Sequence, residues 1–475
     1  MTLGRLAAPF VLMGALLCSP QGECAVTCES FGNDPGWEAV NNIPPEDACQ
    51  EKTQDFRYRD TSRAGGKPGE IGGWLYRSLT PSYYAAPIEK KTFEDTLKAS
   101  GRFAVTQSQA GSGVLIGWFN SASRGWRTPN SLAVRIDGED GKFRVFFEYG
   151  TRNWQTGDGT TFEGRYQTTT TPMHPADGTP HQWSFKYHPD GAGGQGEMTF
   201  TLDGTVFRAA LAEGHKEDGA LFDRFGVFNQ QISGNGMEIY FDDLSIDGGK
   251  LPFDQEPGWE GLNNEVTFLD CAVRPYHDFG YRRSARAGGE PGEIGGIVWR
   301  IESMLPQNSL IFGTPVSPLT FDDKVKASGK VAMTLGSADS GLLIGWYNSH
   351  TPIGAPPMNF LGIFIEGPSR IGHYFRPALG TSDNGAQVGG SGPVIRADGA
   401  SHAWTFEYDP AANDGKGRAT ATLDGASAVL DVSEAARKGN AAFDRFGVLS
   451  WLRGGHCAEL FFDDLAFTSG TESQR

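Results

Sequence analysis

Several things are scarce in this chain of 475 residues, and each absence excludes something. There is no long basic run, and the formal net charge is -16. A polyanionic nucleic acid or an anionic membrane surface is therefore excluded as an expected partner. No C-x-x-C pair occurs among the six cysteines, so zinc-ribbon and thioredoxin-type readings lack support. Past the N-terminus no apolar run is long enough to cross a bilayer. Helical periodicity is scarce outside short pieces such as "VSEAARKG".

What is abundant is glycine, 65 residues, together with aromatic side chains and short apolar runs of period two. In "GVLIGWFN", Val114, Ile116 and Trp118 share one face, while Leu115 and Phe119 share the other. Both faces are apolar, as in a strand covered on each side. "KFRVFFEYG" and "HQWSFKY" alternate in the same way, and "TFTLDG" ends in an Asp-Gly hairpin signal. Many short strands with glycine-rich turns predict an all-β chain of antiparallel sheets packed face to face.

The chain repeats itself. "RAGGKPGEIGG" (Arg63–Gly73) and "RAGGEPGEIGG" (Arg286–Gly296) agree at ten of eleven positions. "DPGWEAVNN" (Asp34–Asn42) matches "EPGWEGLNN" (Glu256–Asn264). Lys98–Ser121 matches Lys326–Ser349, "FDRFGV" recurs at Phe222 and Phe443, and both copies carry "FDDL". The order never changes, so two tandem domains are expected. Their boundary is expected near "DGGKLPFDQ" (Asp247–Gln255), which divides the chain into 26–248 and 249–475. Residues 1–25 read as a secretion signal, with a positive charge at Arg5 and an apolar stretch Leu6–Leu17 too short to span a bilayer. An exported protein, extracellular or periplasmic, is expected.

Cysteine usage fits export. If cleavage falls near Ala25, then Cys28, Cys49, Cys271 and Cys457 are left, with three pairings open. Cys49 and Cys271 hold matching places in the two copies, whereas Cys457 matches Met237. Cys457 would thus give the second copy an internal partner that the first lacks, so Cys271–Cys457 and Cys28–Cys49 are the pairs expected.

The run "HxWxFxYxPxxxGxGxxTxTLDG" resembles the adjacent strand pair of laminin-G-like and concanavalin-A-like domains. The closing "MEIYFDDLSI" and "AELFFDDLAF" resemble the last strand of jelly-roll carbohydrate-binding modules. The resemblance implies two tandem jelly-roll sandwiches, a concave sheet that takes a glycan chain, and a structural calcium near the first and last strands. It implies less about catalysis. Glycosidases of this fold carry Glu-x-Asp-x-Glu on one strand, and no such triplet is present here.

The candidate residues follow. Glu70 and Glu293, with Arg63 and Arg286, lie in the glycine-rich phrase; they either tie down a turn or present charge to sugar hydroxyls. If the chain is a polysaccharide hydrolase or lyase, those two glutamates are the first catalytic candidates. Trp118 and Trp346 either fill the core or stack on a sugar face. The amides of Asn120, Asn130, Asn348 and Asn359 either make turns or bind hydroxyls. Trp126 and Trp154 belong to the first copy only. Asp242, Asp243, Asp463 and Asp464 are the oxygen ligands that a calcium ion would use. Neighbours on a straight strand face opposite ways, so the alternative is a capped strand end or an arginine partner, with Arg224 and Arg445 as candidates. The expected function is binding of a polysaccharide or glycan, with a polysaccharide-degrading enzyme or an extracellular protein-interaction module as the alternatives.

Overall fold

The computed structural model describes residues 25–156, 172–271, 276–337, 339–351, 354–369 and 372–470. Residues 1–24 of the expected signal segment lie outside the described residues, and Ala25, its last residue, opens the first described strand. Two antiparallel β-sandwiches account for nearly all regular structure, and the two described α-helices are one to two turns long. No described helix is long and apolar enough to cross a membrane.

Each sandwich packs two sheets over an apolar core. In the first, one sheet runs Thr205–Ala210, Glu197–Leu202, Pro180–His188, Leu97–Ser108, Gly236–Ile246, Glu70–Tyr76, Gln50–Arg59 and Glu265–Asp270. It is called the Glu70 sheet below. Facing it, the Trp118 sheet runs His174–Pro175, Lys142–Gly150, Ser131–Glu139, Ser112–Phe119, Leu221–Asn229, Tyr83–Thr92 and Glu260–Leu262. The second sandwich repeats this order with a Glu293 sheet and a Trp346 sheet. This is the expected jelly-roll arrangement of antiparallel sheets, present twice.

The period-two reading holds at the level of side chains. Val114, Ile116 and Trp118 enter the main core with Phe185, Tyr187 and Ile239. Leu115 and Phe119 form a separate cluster with Ala85, Ala133 and Phe228 on the sheet's other face. The Asp-Gly hairpins are tied down by matched pairs. His181 Nδ1 lies 2.6 Å from Asp203 and His402 Nδ1 lies 2.6 Å from Asp424.

Strand pairing crosses the expected domain boundary. The "PGWE" phrase at the head of each copy packs on the other copy's sandwich. Glu260–Leu262 pairs with Tyr83–Ala85 of the first sandwich, and Glu38–Val40 pairs with Ile311–Gly313 of the second. Structurally the phrase is the closing end of a sandwich, not the opening of one. In the first sandwich, Gly249–Lys250 pairs with Ser245–Ile246, and Phe253 and Trp259 then cover the core edge. In the second, Ala25–Glu29 pairs with Leu465–Gly470, and Phe31 and Trp37 take the equivalent places. The match extends to details. Arg224 pairs with Glu260 at 2.7 Å and Arg445 with Glu38 at 2.8 Å. Asn264 Nδ2 donates to Phe56 O at 2.8 Å, and Asn42 Nδ2 to Phe279 O at 2.9 Å. A Cβ on Gly69 would sit 1.9 Å from Phe253 O, and one on Gly292 2.0 Å from Phe31 O. Both glycines have positive φ, so each phrase keeps a glycine where the closing segment presses on it.

A further crossing joins the sandwiches. Glu265–Asp270 pairs with Gln50–Asp55, which extends the Glu70 sheet by one strand. Beyond the Gln50–Asp270 pair, Cys49 and Cys271 form a disulfide. Beside it Lys52 Nζ meets Asp270 at 2.5 Å and donates to Gly234 O at 2.7 Å. This corrects the expected pairing. The cysteines in matching places pair with each other because the crossing strands carry them side by side. Cys28 is exposed and Cys457 is fully buried, both as thiols. Burial pushes the Cys457 thiol up to about 12.

Two outcomes are expected. Non-reducing peptide mapping should recover Cys49 linked to Cys271, with Cys28 alkylated in the native protein and Cys457 only after unfolding. Cys49→Ser with Cys271→Ser should cost roughly 2–4 kcal/mol in denaturant unfolding. A linked Cys271–Cys457 peptide would contradict the strand crossing.

Candidate functional site

The glycine-rich phrase is built around its glutamate. Glu70 is fully buried; its carboxylate accepts from the Arg63 amide at 2.8 Å, the Ala64 amide at 2.7 Å and the Thr61 hydroxyl. Glu293 is equally buried and accepts from the Arg286 and Ala287 amides. Each glutamate thus closes its own loop and cannot reach a substrate, which removes the first catalytic candidates. Arg63 and Arg286 are exposed, lying over the rings of Tyr240 at 4.9 Å and Phe461 at 5.0 Å.

The other expected sugar contacts are also engaged inside the protein. Trp118 and Trp346 are 0% exposed, and Trp346 Nε1 donates to Thr468 O at 2.8 Å. They fill the cores and cannot stack on a sugar. Asn120 and Asn348 shape turns, accepting from Ala122 N and His350 N and donating to Leu221 O and Ala442 O. Asn130 and Asn359 have positive φ and accept from Leu221 N and Ala442 N. Trp154 is half-buried and packs against the second sandwich's core, while Arg127 stacks over Trp126 at 4.5 Å.

The aspartate pairs split across a bulge. Asp243 and Asp464 have positive φ and turn outward, to Arg102 at 3.6 Å and Lys330 at 2.8 Å. Those are their cationic partners, in place of the expected Arg224 and Arg445. In the first sandwich this corner edges an open hollow of about 300 Å³ that includes Arg102, Gln182 and Asp243. Asp242 and Asp463 turn inward, so close to the phrase that a Cβ on Gly65 or Gly288 would lie 1.6 Å from their carboxylate oxygens. Burial, then the neighbouring carboxylates Asp243 and Glu70, raises the Asp242 pKa; Asp463 is raised likewise by burial, Asp464 and Glu293. Among the described residues, no group of three or more His, Cys, Asp or Glu side chains is placed to hold a metal ion. With one aspartate of each pair already held by a cation, these residues do not fit a calcium site.

Charge gathers elsewhere, on the outer face of the Trp118 sheet. There Arg135 Nη1 meets Glu148 at 2.7 Å, and both residues are buried. Arg77 Nη2 reaches Asp137 at 2.6 Å, with Arg135 Nε 3.5 Å from the same carboxylate. Arg127 and Arg77 have their pKa values pulled down first by burial, and Glu148 acts on both in the opposite sense. Arg144 extends this face and pairs with Glu139. Arg77, Asp137 and Arg144 are half-buried and form its accessible rim.

The second sandwich keeps the arrangement with the residues exchanged. Arg135 lies opposite Phe146 in the first sandwich and stacks on it at 4.9 Å. At the equivalent positions Phe364 lies opposite Arg376, whose guanidinium sits 5.6 Å from the ring. Glu366 stands where Asp137 does and pairs with Arg376; Arg300, the counterpart of Arg77, is 3.9 Å from Glu366. Trp451 stacks on Phe364 at 4.0 Å. The sequence held a signal for this face, namely a lone arginine inside the apolar strand "SLAVRIDGE" and an arginine following each "EIGG" strand. Comparing the copies position by position hides it, because arginine and phenylalanine have changed strands.

No protein-family model matches the chain, and no curated protein matches it. Solved structures similar to this chain include a laminin domain pair and two carbohydrate-recognition proteins. Domains LG4-5 of the mouse laminin alpha1 chain align over 88% of this chain and 94% of their own length, at 13% identity and TM-score 0.24. The Emp47p carbohydrate recognition domain covers 45% of this chain and 98% of its own, at 13% identity and TM-score 0.23. Basic winged bean lectin with Tn-antigen covers 45% and 99%, at 11% identity and TM-score 0.22. The fold assignment rests on the strand order and register given above.

Two substitutions test the loop chemistry. Glu70→Gln should cost about 1–3 kcal/mol in urea unfolding, because the amide turns a donor toward a backbone N–H. Asp242→Asn should stabilise the fold at pH 7. A carboxyl whose folded pKa is raised favours the fold at low pH, and that advantage is lost as pH climbs from the unfolded to the folded pKa. The gain in melting temperature should therefore vanish below the ordinary carboxylate pKa.

Proposed function

We propose that this chain is an exported glycan-binding protein with one site per sandwich, on the outer faces of the Trp118 and Trp346 sheets. The observation that carries the reading is the exchanged arginine–phenylalanine pair with its carboxylate partner. The two copies have diverged around it, yet each keeps a guanidinium on an aromatic ring beside an acidic group. Buried charge is costly, and removal of one partner leaves the other uncompensated. A fold alone has little need to hold such a set twice on the same face.

The chemistry suits a sugar chain. Guanidinium groups offer forked donors to hydroxyl pairs and carboxylates. The buried rings of Phe146 and Phe364 hold those groups in place, and the half-buried Tyr374 offers a ring to a sugar C–H face. The half-buried rims, Arg77, Asp137 and Arg144 in one copy and Glu366, Tyr374 and Arg376 in the other, supply the accessible contacts. On this face guanidinium groups stand paired with carboxylates, Arg77 with Asp137, Arg135 with Glu148 and Arg376 with Glu366, so donors and acceptors for sugar hydroxyls lie side by side. Two sites on one chain raise avidity when a polymer spans both.

The test is depletion of the protein from solution by neutral, uronate-bearing and sulfated polysaccharides, with released sugar measured in parallel. Depletion without product is expected. Arg376→Met alone should lower apparent affinity about 10²-fold or more as the second site is lost. Arg135→Met with Arg376→Met should abolish binding while a cooperative melting transition persists at a lower temperature, because Glu148 is left buried without its partner. Unchanged binding in that folded double variant would refute the site, and released oligosaccharide would refute a purely binding role.

A further inference from the structure

The two sandwiches are closed in the same way but from different distances along the chain. In the first, the closing residues Gly249–Asn264 follow directly from the strand they pair with, Gly236–Ile246. In the second, Ala25–Asn42 takes those places against Cys457–Gly470 and Ile311–Gly313. Phe31 and Trp37 enter the core, Glu38 pairs with Arg445, and Asn42 holds Phe279 O. The second sandwich is therefore an acceptor for an extended donor segment that it does not itself encode.

The tether of that segment is short and stiff. Only Ile43–Ala48 separates Asn42 from Cys49, which the disulfide anchors to Cys271. It contains Pro44–Pro45, with a single 3-10 turn, Glu46–Ala48, after them. Consecutive prolines favour an extended backbone over one that folds back. Ile43 is 67% exposed, so the tether packs little apolar surface of its own. Short hinge loops are where identical elements are exchanged between chains, because the hinge alone differs between the closed and exchanged forms.

We propose that a second copy of this chain supplies Ala25–Asn42 to the second sandwich, giving a reciprocal strand-exchanged dimer. Every contact of the closing segment is the same in the closed chain and in the dimer, so the hinge and the protein concentration set the partition between them. Reciprocal exchange satisfies both acceptors, and the assembly closes with two-fold symmetry and leaves neither acceptor strand unpaired. Addition of a strand along Leu465–Gly470 supplies main-chain hydrogen bonds, while Phe31 and Trp37 supply the register.

Cys28 lies opposite Ala466 across this pairing, which provides the test. The full chain carrying Ala466→Cys is refolded at low and high protein concentration, oxidised and run on a non-reducing gel. A disulfide-linked dimer whose share rises with concentration is expected. Neither the unsubstituted chain nor Cys28→Ser with Ala466→Cys should give that band. Linked monomer alone at every concentration, or no linkage at all, would overturn the proposal. Should the cysteine variant fail to fold, the unsubstituted chain and an isotope-labelled copy are refolded together and weighed by native mass spectrometry. Mixed dimers that form on joint refolding but not on mixing of the separately folded proteins support exchange; monomers alone, or dimers that mix without unfolding, refute it.

Discussion

The structure depends on one constraint, the crossing of the chain between its two sandwiches. Glu265–Asp270 lies on the first sandwich's sheet, the "PGWE" phrases close each other's sandwiches, and Cys49–Cys271 bolts the crossing in place. A jelly roll leaves sheet edges and a core margin that must be covered. Here each sandwich receives that cover from a segment outside its own expected domain. The two copies are covalently and topologically one unit, although each has its own core.

The glycine-rich phrase makes sense within that frame. Gly69 and Gly292 make room for the carbonyls of Phe253 and Phe31, the residues at which the closing segments enter. Glu70 and Glu293 hold the loop around those glycines through the amides at its start. Near-identity between the copies thus follows from two identical close approaches, and the phrase serves as scaffold. The charged sets of the Trp118 and Trp346 sheets behave in the opposite way. Their positions have drifted while their chemistry has stayed, as expected where an arrangement of charge and ring matters more than which strand supplies each part.

Much of the fold was legible in the residues. Period-two patterning placed Val114, Ile116 and Trp118 in a core and Leu115 and Phe119 against a second apolar layer, and the Asp-Gly turns fell where hairpins end. The expected glycan contacts were far less legible. Tryptophan, asparagine and glutamate suit a sugar and suit a core, a turn and a loop clamp equally well, and only burial separates those uses. Trp118 and Trp346 are wholly buried, Asn130 and Asn359 spend their oxygens on backbone amides, and the glutamates are enclosed. The arginine face was missed because arginine and phenylalanine have traded strands of one hairpin between the copies, so matching the copies position by position does not align them.

The sequence by itself determined the all-β class, the duplication and the facing of the strands, because alternation and turn chemistry are local properties of a chain. Only the tertiary structure decided which copy each "PGWE" phrase completes, which cysteines meet and which charged groups share a face. The first two are pairings between residues far apart in sequence, and the charged set joins hairpin neighbours to an arginine that follows a strand of the facing sheet. In a duplicated chain a closing segment fits either acceptor by local chemistry alone, so connectivity and packing make the choice.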